Sequence, residues 1–324
     1  MSTVVVDPTH PEPQVIARAA AVIRAGELVA FPTETVYGLG ASALDARAVA
    51  RIYAAKGRPD YNPLIVHTLG VEQARALVRE WPPLAEALAR RFWPGPLTLV
   101  LPKLPIVPDL VTAGLPSVAV RAPAHPVARA LLEAAEVPIA APSANRFQGI
   151  SPTTAAHVER SLGPDAALIL DGGPTHVGIE STVVGLTEAQ PILLRLGGLS
   201  AAAIEAVTGP LARPDAIERS VPRASPGLDE RHYAPRGELR VLARGELLEG
   251  VREPRPVGAM TFEPAPRGVD HALVLPRDPI DYARLLYASL HTLDELGCKQ
   301  ILVEAVPDEP AWAAIADRLR RAAA

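Results

Sequence analysis

The sequence contains very little cysteine and very little lysine. Cys298 is its one cysteine, and three lysines stand against twenty-nine arginines. A single cysteine excludes a disulfide within the chain and any metal cage built from several thiolates. The formal net charge of −4 provides no overall positive field that would attract nucleic acid or anionic lipid. A site for an anion must therefore be local.

Long apolar runs are missing as well. The first residues, MSTVVVDPTHPEPQ, have no basic start, and their apolar run is too short for a secretion signal or a membrane span. We therefore expect a soluble, cytoplasmic protein.

Predicted strands and helices alternate along most of the chain. Residues 10–208 alternate apolar strand runs with helices of 3.6-residue periodicity, which is typical of an α/β domain with a twisted mixed sheet covered by helices. Five prolines break every period in residues 209–237, which predicts a long connector. Residues 238–324 return to the alternation and predict a second, smaller, Rossmann-like α/β domain.

The common catalytic signatures are absent: there is no GxxxxGK[ST], HExxH, CxxC or GxSxG. Instead, polar residues follow predicted strands, at the kind of edge where α/β sheets bind ligands. In FPTETVYGLG, Thr33 and Thr35 follow such a strand. The same stretch fits a dinucleotide fingerprint at Gly38, Gly40 and Ala43, but PTET separates these glycines from the strand tip where the fingerprint needs them.

KGRPDYNPL places two cations beside the predicted end of a helix. Asp45 is the predicted N-cap of this helix, and Lys56 lies in its last turn, where the helix dipole alone favours a cation by about 0.3 to 1 kcal/mol. The dipole does not explain Arg58, which precedes a proline and is therefore extended. An ammonium beside a guanidinium suits a polyphosphate or a carboxylate, and Asn62 adds a neutral donor. The stretch therefore indicates an anion site.

Two later stretches continue the pattern. In VPIAAPSANRFQGISP, Ser143 and Asn145 follow a predicted strand, and Ser151 before Pro152 predicts a helix N-cap whose free N–H groups also suit an anion. In DGGPTHVGIESTVV, Ser181 begins a strand. Arg121 and Arg195 lie near the ends of apolar strands, where each needs a partner, either a structural carboxylate or a substrate.

PTETVYGLG, KGRPDYNPL, APSAN, ESTVV and RLGG, in this order and spacing, resemble the YrdC-like threonylcarbamoyl-AMP synthase family. SPGLDERHYAPRG and the small α/β domain after it look like the two-domain form of that enzyme. Leu196-Gly197-Gly198 departs from the Pro-Gly of many relatives.

The resemblance implies that ATP, L-threonine and bicarbonate give threonylcarbamoyl-adenylate and pyrophosphate, for the threonylcarbamoyladenosine modification of tRNA by downstream proteins. This step would need neither a membrane nor bound tRNA. The residues implied for threonine are Thr35, His67, Arg121, Ala141 and Ser181. Those implied for ATP are Arg58, Asn62, Ser117, Ser143, Ser151, Arg195 and Tyr233. Lys56, Arg58, Ser143 and Asn145 resemble the polar quartet of the family and are the predicted catalytic residues.

This chemistry mainly requires charged reactants to be held together, so positioning and charge neutralisation suffice without an obvious general base. Lys56 and Arg58 would offset phosphate charge, and Arg121 would pair bidentately with the threonine carboxylate. We expect a magnesium ion held mainly by ATP phosphates and water, with no protein ligands. Tyr233, expected to be an exposed aromatic in the 209–237 connector, would close over the nucleotide so that the connector acts as a lid.

Two alternatives remain at this point. A nicotinamide-dependent enzyme would use Gly38, Gly40 and Ala43. A non-catalytic RNA-binding module of the same fold would bind tRNA without turning over ATP, although the net charge and the lack of basic runs disfavour it.

Overall fold

The computed structural model describes residues 2–213, 231–265 and 267–324. The chain forms two compact units. The first comprises residues 1–147, 152–176 and 180–228, and the second comprises residues 148–151, 177–179 and 229–324. Most of the predicted 209–237 connector, residues 214–230, lies outside the described residues. The boundaries 10–208, 209–237 and 238–324 stay predictions.

The first unit is built on a ten-stranded sheet. Its strands are β1 (Ser2–Val5), β2 (Val29–Phe31), β3 (Gly38–Ser42), β4 (Ile65–His67), β5 (Leu97–Pro102), β6 (Ser117–Arg121), β7 (Ile139–Ala140), β8 (Leu168–Asp171), β9 (Thr182–Gly185) and β10 (Ile192–Arg195). They are arranged in the order β1-β8-β2-β3-β7-β4-β6-β5-β9-β10.

The sheet is mixed. β1, β8 and β2 are parallel, as are β4 with β6 and β5 with β9, whereas β3 is antiparallel to both β2 and β7, and β7 is antiparallel to β4. β5 is antiparallel to β6 and β10 to β9. This mixed α/β architecture confirms the predicted fold class.

Helices cover both faces of this sheet. They are α1 (Pro13–Arg24), α2 (Ala46–Lys56), α3 (Val71–Arg75), α4 (Pro83–Phe92), α5 (Asp109–Thr112), α6 (Pro126–Ala135), α7 (Ala155–Leu162) and α8 (Ala201–Thr208). Val29 and Phe31 pack in a core with α1 and α6, whereas Ala30, between them, packs in the larger core with α2 and α4. Because side chains alternate along a strand, these two cores lie on opposite faces.

The second unit has its own, wholly parallel sheet. Its strands are β11 (Glu238–Leu242), β12 (Val257–Thr261), β13 (His271–Val274) and β14 (Gln300–Glu304), in the order β11-β14-β12-β13. Its helices are α9 (Leu247–Gly250), α10 (Pro279–Glu295) and α11 (Ala313–Ala322). A parallel sheet with helical crossovers confirms the Rossmann-like prediction.

One local prediction is wrong, and one alternative reading of the sequence is not supported. Ser151 is not the N-cap of α7, because Thr154 caps that helix through its hydroxyl, which accepts a hydrogen bond from the His157 N–H. Gly38 and Gly40 do not form a phosphate loop, because both lie inside strand β3. The dinucleotide fingerprint requires glycines between a strand and a helix, so this alternative loses its structural basis.

Among the described residues, no helix is both long and apolar enough to cross a bilayer. The N-cap predicted at Asp45 is confirmed, since its carboxylate accepts hydrogen bonds from the N–H groups of Arg47 and Ala48.

Candidate active site

The mixed sheet does not bring every strand end to one edge. Because β7 runs antiparallel to β4, and β4 parallel to β6, the residues after β7 leave the opposite edge from those after β4 and β6. The polar residues that follow these strands therefore do not all leave one edge of the sheet. Side-chain and loop contacts bring them together instead, in two groups. The Arg121 group consists of Glu34, Thr35, His67, Gly95, Arg121, Ser181 and Arg195. The Lys56 group consists of Lys56, Arg58, Asn62, Ser143 and Asn145.

The Arg121 group is centred on a buried guanidinium at the end of β6. Arg121 donates from Nη2 to Glu34 Oε1 at 2.6 Å, from Nη1 to Thr35 Oγ1 at 3.0 Å and from Nε to the Gly95 carbonyl at 3.2 Å. Thr33 Oγ1 lies 2.8 Å from Thr35 Oγ1 and so supports it. The structural carboxylate that a buried arginine needs is thus present in the protein.

Glu34 is charged despite its burial. Burial alone would raise the pKa of its carboxyl group, but the charge and the hydrogen bond of Arg121 outweigh burial and lower that pKa. Its second oxygen accepts a hydrogen bond from the Ala124 N–H at 3.0 Å. The carboxylate therefore joins the turn after β2 to the turn after β6.

His67 lies beside this ion pair, opposite Arg121 in the parallel ladder between β4 and β6. Its side chain is 3% exposed, and burial, with the nearby positive charge of Arg121, lowers its pKa to about 3. It is therefore neutral near pH 7. Among the described residues no group bonds its buried Nδ1 atom, which is an unusual state for a buried polar atom.

Ser181 and Arg195 form the other side of the Arg121 group. Arg195 donates to the Ser181 carbonyl from Nε at 3.1 Å and from Nη2 at 2.9 Å, and Ser181 Oγ lies 2.8 Å from Thr98 Oγ1. A Cβ on Gly197 would come within 2.4 Å of the Glu180 carbonyl oxygen, so the loop after β10 can pack here because this position is glycine.

The turn before β5 links these side chains to Arg121. The Gly95 carbonyl accepts from Arg121, and the Gly95 N–H donates to the Ala122 carbonyl at 2.8 Å. The next residue, Pro96, accepts a hydrogen bond from the Thr182 N–H at 2.9 Å. Arg121 and Ser181 are thus held on either side of one short turn.

The Lys56 group gathers the end of α2 and the loop after β7. Lys56 is 2% exposed, and its Nζ donates to the main-chain carbonyls of Ser143, at 2.6 Å, and Asn145. Burial, and then the neighbouring charges of Arg58 and Arg146, place the pKa of this amine well below its usual range. In the protein alone Lys56 holds the Ser143–Asn145 loop in place.

Arg58 folds back onto the segment that follows it. Its Nε donates to the Asn62 carbonyl at 3.3 Å and its Nη2 to the Pro63 carbonyl at 3.0 Å. Gly57 adopts a left-handed conformation (φ 60°) at the end of α2, which turns the chain away from the helix. Arg58 and Asn62 are both buried.

A direct backbone contact joins the two groups. The Ala144 N–H donates to the Tyr37 carbonyl at 2.8 Å. Thr35 is two residues before Tyr37 in the sequence, and Asn145 directly follows Ala144. Since successive Cα atoms are about 3.8 Å apart, the Cα atoms of Thr35 and Asn145 lie within roughly 17 Å. Ala141 is buried nearby and donates its N–H to the Ile65 carbonyl at 2.9 Å.

The remaining predicted site residues lie elsewhere. Ser117 begins β6 and pairs with Pro102 of β5. Ser151 and Tyr233 belong to the second unit. The expectation of an exposed Tyr233 is wrong: it is 1% exposed, and its ring is tilted against that of Tyr287, with 5.5 Å between the ring centroids. Its role as a lid over the nucleotide stays a prediction.

The sequence reasoning missed Glu34, Thr98 and Gly95. The sequence could have pointed to Glu34, because this carboxylate lies between Thr33 and Thr35, shortly after a buried strand. Thr35 had already been selected as a candidate there. No sequence pattern could have identified Thr98 or the Gly95 carbonyl, since their contacts depend on the pairing of β5 with β6 and β9.

Comparisons with known proteins agree on one family. Residues 21–197 match the Sua5/YciO/YrdC family model, described as "Telomere recombination", and residues 199–324 match the model of the threonylcarbamoyl-AMP synthase C-terminal domain. Two proteins named threonylcarbamoyl-AMP synthase match almost end to end. The one from Pyrococcus abyssi is 46% identical, over 94% of this chain and 92% of its own, and the one from Bacillus subtilis is 43% identical, over 96% and 93%.

A solved structure matches over the same length. The crystal structure of P. abyssi Sua5 complexed with L-threonine superimposes with a TM-score of 0.93 and 43% identity, covering 100% of this chain and 98% of that one. That complex was determined with the amino acid bound.

Proposed function

This chain belongs to the two-domain Sua5/YrdC family of threonylcarbamoyl-AMP synthases, and we propose that the Arg121 group and the Lys56 group together form its active site. The chain is a transferase that makes the adenylate threonylcarbamoyl-AMP, with threonine and ATP as substrates, for threonylcarbamoyladenosine formation in tRNA.

In this reaction the carbamoyl carbon of the product comes from bicarbonate, because neither threonine nor ATP supplies it. The threonine nitrogen bonds to the bicarbonate carbon with loss of water, which forms a carbamate. A carbamate oxygen then attacks the α-phosphorus of ATP, and the bond to the β-phosphate breaks to release pyrophosphate. Most of the catalysis is the alignment of three charged reactants, because little proton transfer is required of the protein.

The threonine site uses the Arg121 group. Arg121 has five N–H donors, and its three hydrogen bonds within the protein leave one N–H on each Nη atom for the threonine carboxylate. His67 Nδ1 and Ser181 Oγ offer neutral polar contacts to the rest of the amino acid. Thr35 and Ala141 complete the proposed contacts.

The ATP site uses the Lys56 group together with Ser117 and, from the Arg121 group, Arg195. Arg58, Asn62, Ser117, Ser143 and Arg195 bind the nucleotide, and Lys56 and Asn145 act with Arg58 and Ser143 at the reacting phosphates. Approach of the polyphosphate favours the protonated form of Lys56 and so opposes the lowering of its pKa by burial and by the neighbouring arginines. The contacts of Ser151 and Tyr233 with ATP stay predictions from the family resemblance.

A magnesium ion accompanies the ATP in this proposal. The Glu34 carboxylate pairs with Arg121, and the side chains proposed to contact ATP are guanidinium, amine, hydroxyl and amide groups, which suit phosphate oxygens better than a cation. The ion would therefore be held by the phosphates and water, and it would supply charge neutralisation on the triphosphate. We also propose a cytoplasmic location, with the adenylate passed to the proteins that modify tRNA.

The buried Arg121 guanidinium, which keeps one N–H on each Nη atom after its three hydrogen bonds within the protein, is the observation that best supports the site. The function is tested by pyrophosphate release from ATP, which should require threonine and bicarbonate together. Release at the same rate without threonine contradicts the proposal. NADH binding without ATP binding in a fluorescence titration would instead favour the nicotinamide-dependent alternative.

The site is tested separately with the double variant Lys56→Ala, Arg58→Ala. Loss of well-aimed cations at the phosphates should lower kcat by about a hundredfold or more. Unchanged synthesis by a folded double variant would show that the Lys56 group lies outside the active site.

A further inference from the structure

Glu34 is the main partner of Arg121, and no substrate role follows for it from the family resemblance. Both side chains are buried, and the Glu34 carboxylate accepts from Arg121 at 2.6 Å and from the Ala124 N–H at 3.0 Å. Glu34 is therefore held by the chain on two sides while it holds the guanidinium.

Three contacts fix the orientation of the Arg121 guanidinium, one at each nitrogen. Gly95 accepts from Nε, Thr35 from Nη1 and Glu34 from Nη2. A planar guanidinium anchored at all three nitrogens cannot rotate, so its two remaining N–H groups point in fixed directions. These two groups lie on different Nη atoms, and a carboxylate can accept hydrogen bonds from two N–H groups of one guanidinium.

Glu34 also supplies the negative charge that balances the Arg121 guanidinium within the protein. A buried guanidinium without a counter-ion is costly, and among the described residues Glu34 is the carboxylate that pairs with Arg121. Because Arg121 lowers the pKa of Glu34, this counter-ion is present at neutral pH. The pair is therefore formed before threonine arrives.

We propose that Glu34 is a positioning residue for amino-acid recognition: it holds Arg121 ready to bind the threonine carboxylate. The inference rests on the proposed function, since it assumes that Arg121 binds threonine. The opposite role would be competition, in which Glu34 and the substrate carboxylate exclude each other on the guanidinium. The two roles predict opposite changes in threonine affinity when Glu34 loses its charge.

The test compares Glu34→Gln with the unaltered enzyme, by calorimetric titration of threonine and by steady-state kinetics. Glu27→Gln is the matched control, because Glu27 forms a half-exposed ion pair with Arg51 in the same unit. We expect Glu34→Gln to raise the Kd and the KM for threonine by about tenfold or more. The KM for ATP should stay within about twofold of the value for the unaltered enzyme, because the change weakens threonine binding but leaves the ATP contacts intact.

Three results would overturn this role. They are an unchanged threonine Kd, a tighter one, and equal losses for threonine and ATP, which would indicate general structural damage. If Glu34→Gln does not fold, Glu34→Asp is used instead. It keeps the negative charge, but its side chain is shorter by one methylene, so the carboxylate lies farther from Arg121. It should weaken threonine binding selectively, and unchanged binding would again overturn the inference. Arg121→Ala distinguishes failure of the Glu34 inference from failure of the proposed function. If this variant leaves the threonine Kd unchanged, the proposed threonine site itself is wrong.

Discussion

Glu34, Lys56 and His67 are three ionisable side chains that the first unit buries almost completely. Burial alone disfavours the charged form of each. Glu34 keeps its charge because Arg121 pairs with it, whereas the pKa values of Lys56 and His67 are lowered by burial and by neighbouring arginines. An anionic substrate favours protonation of the two bases, so binding of the anions is coupled to proton uptake.

The buried neutral His67 should make the stability of the protein pH-dependent. Its pKa is about 3 in the folded chain and about 6.5 in an unfolded one, so the unfolded state binds the extra proton. The stabilisation is complete above about pH 6.5 and is lost as the pH falls towards 3. Between pH 7 and pH 5 this group alone should remove about 2 kcal/mol of unfolding free energy.

Urea unfolding of His67→Gln at pH 7 and pH 5 checks this expectation. The variant should lose less stability than the unaltered protein over this interval. The exposed His10→Gln is the control and should behave like the unaltered protein. An equal loss in His67→Gln would mean that His67 is already protonated, or not buried, in solution.

Strand β3 helps to position the Arg121 group and the Lys56 group. Its glycines allow the close strand packing that this requires. It runs antiparallel between β2 and β7, and Tyr37, just before it, holds Ala144 in the loop after β7. A Cβ on Gly40 would lie 2.7 Å from side-chain atoms of both Phe31 and Ile139. The glycines of the YGLG stretch therefore serve close packing of the sheet, which explains why they mimic a nucleotide motif without forming one.

Gly40→Ala should destabilise the first unit. Overpacking of this kind typically costs about 1 to 3 kcal/mol, because Phe31 and Ile139 must move. Gly70→Ala is the matched control, since a Cβ there meets no atom within 4 Å. Denaturant unfolding checks the difference, and equal stability of the two variants would contradict the close packing at β3.

The second unit is assembled from distant parts of the chain. Residues 148–151 and 177–179 belong to it together with residues 229–324. Within this unit the Ala234 N–H donates to the Gln148 carbonyl at 2.9 Å, and His291 Nε2 lies 3.2 Å from the Ser151 carbonyl. Contacts of such large sequence separation must close long loops, so the second unit requires an earlier part of the chain for completion.

Gly178 tests this assembly. A Cβ there would come within 2.4 to 2.7 Å of the backbone of α10 at Ala283 and Arg284. Gly178→Ala should therefore displace the 177–179 segment and lower the unfolding free energy beyond the cost of a strained backbone. Gly173→Ala is matched to it, because both glycines have φ 79° but Gly173 has open space around it.

The measurement is the difference in unfolding free energy between these two variants. Since both carry the same positive-φ penalty of about 1 kcal/mol, any excess loss in Gly178→Ala reports the clash with α10. Equal losses would contradict the close packing of segment 177–179 on α10.

The sequence by itself determined the order and type of most elements, the mixed α/β class of the first unit and the family. Asp45 as a cap and Lys56 in a last helical turn were predictable for the same reason, since caps, periodicity and short motifs depend on neighbours along the chain. β1 and β3 were not predicted, because the former is a short edge strand and the latter is rich in glycine.

Only the tertiary structure decided how the motifs meet. The Arg121 pair with Glu34, the burial of Lys56 against two carbonyls and the inclusion of residues 148–151 in the second unit each join parts that are far apart in the sequence. They depend on strand direction, register and loop closure, which are set by the packing of the whole sheet rather than by any local pattern.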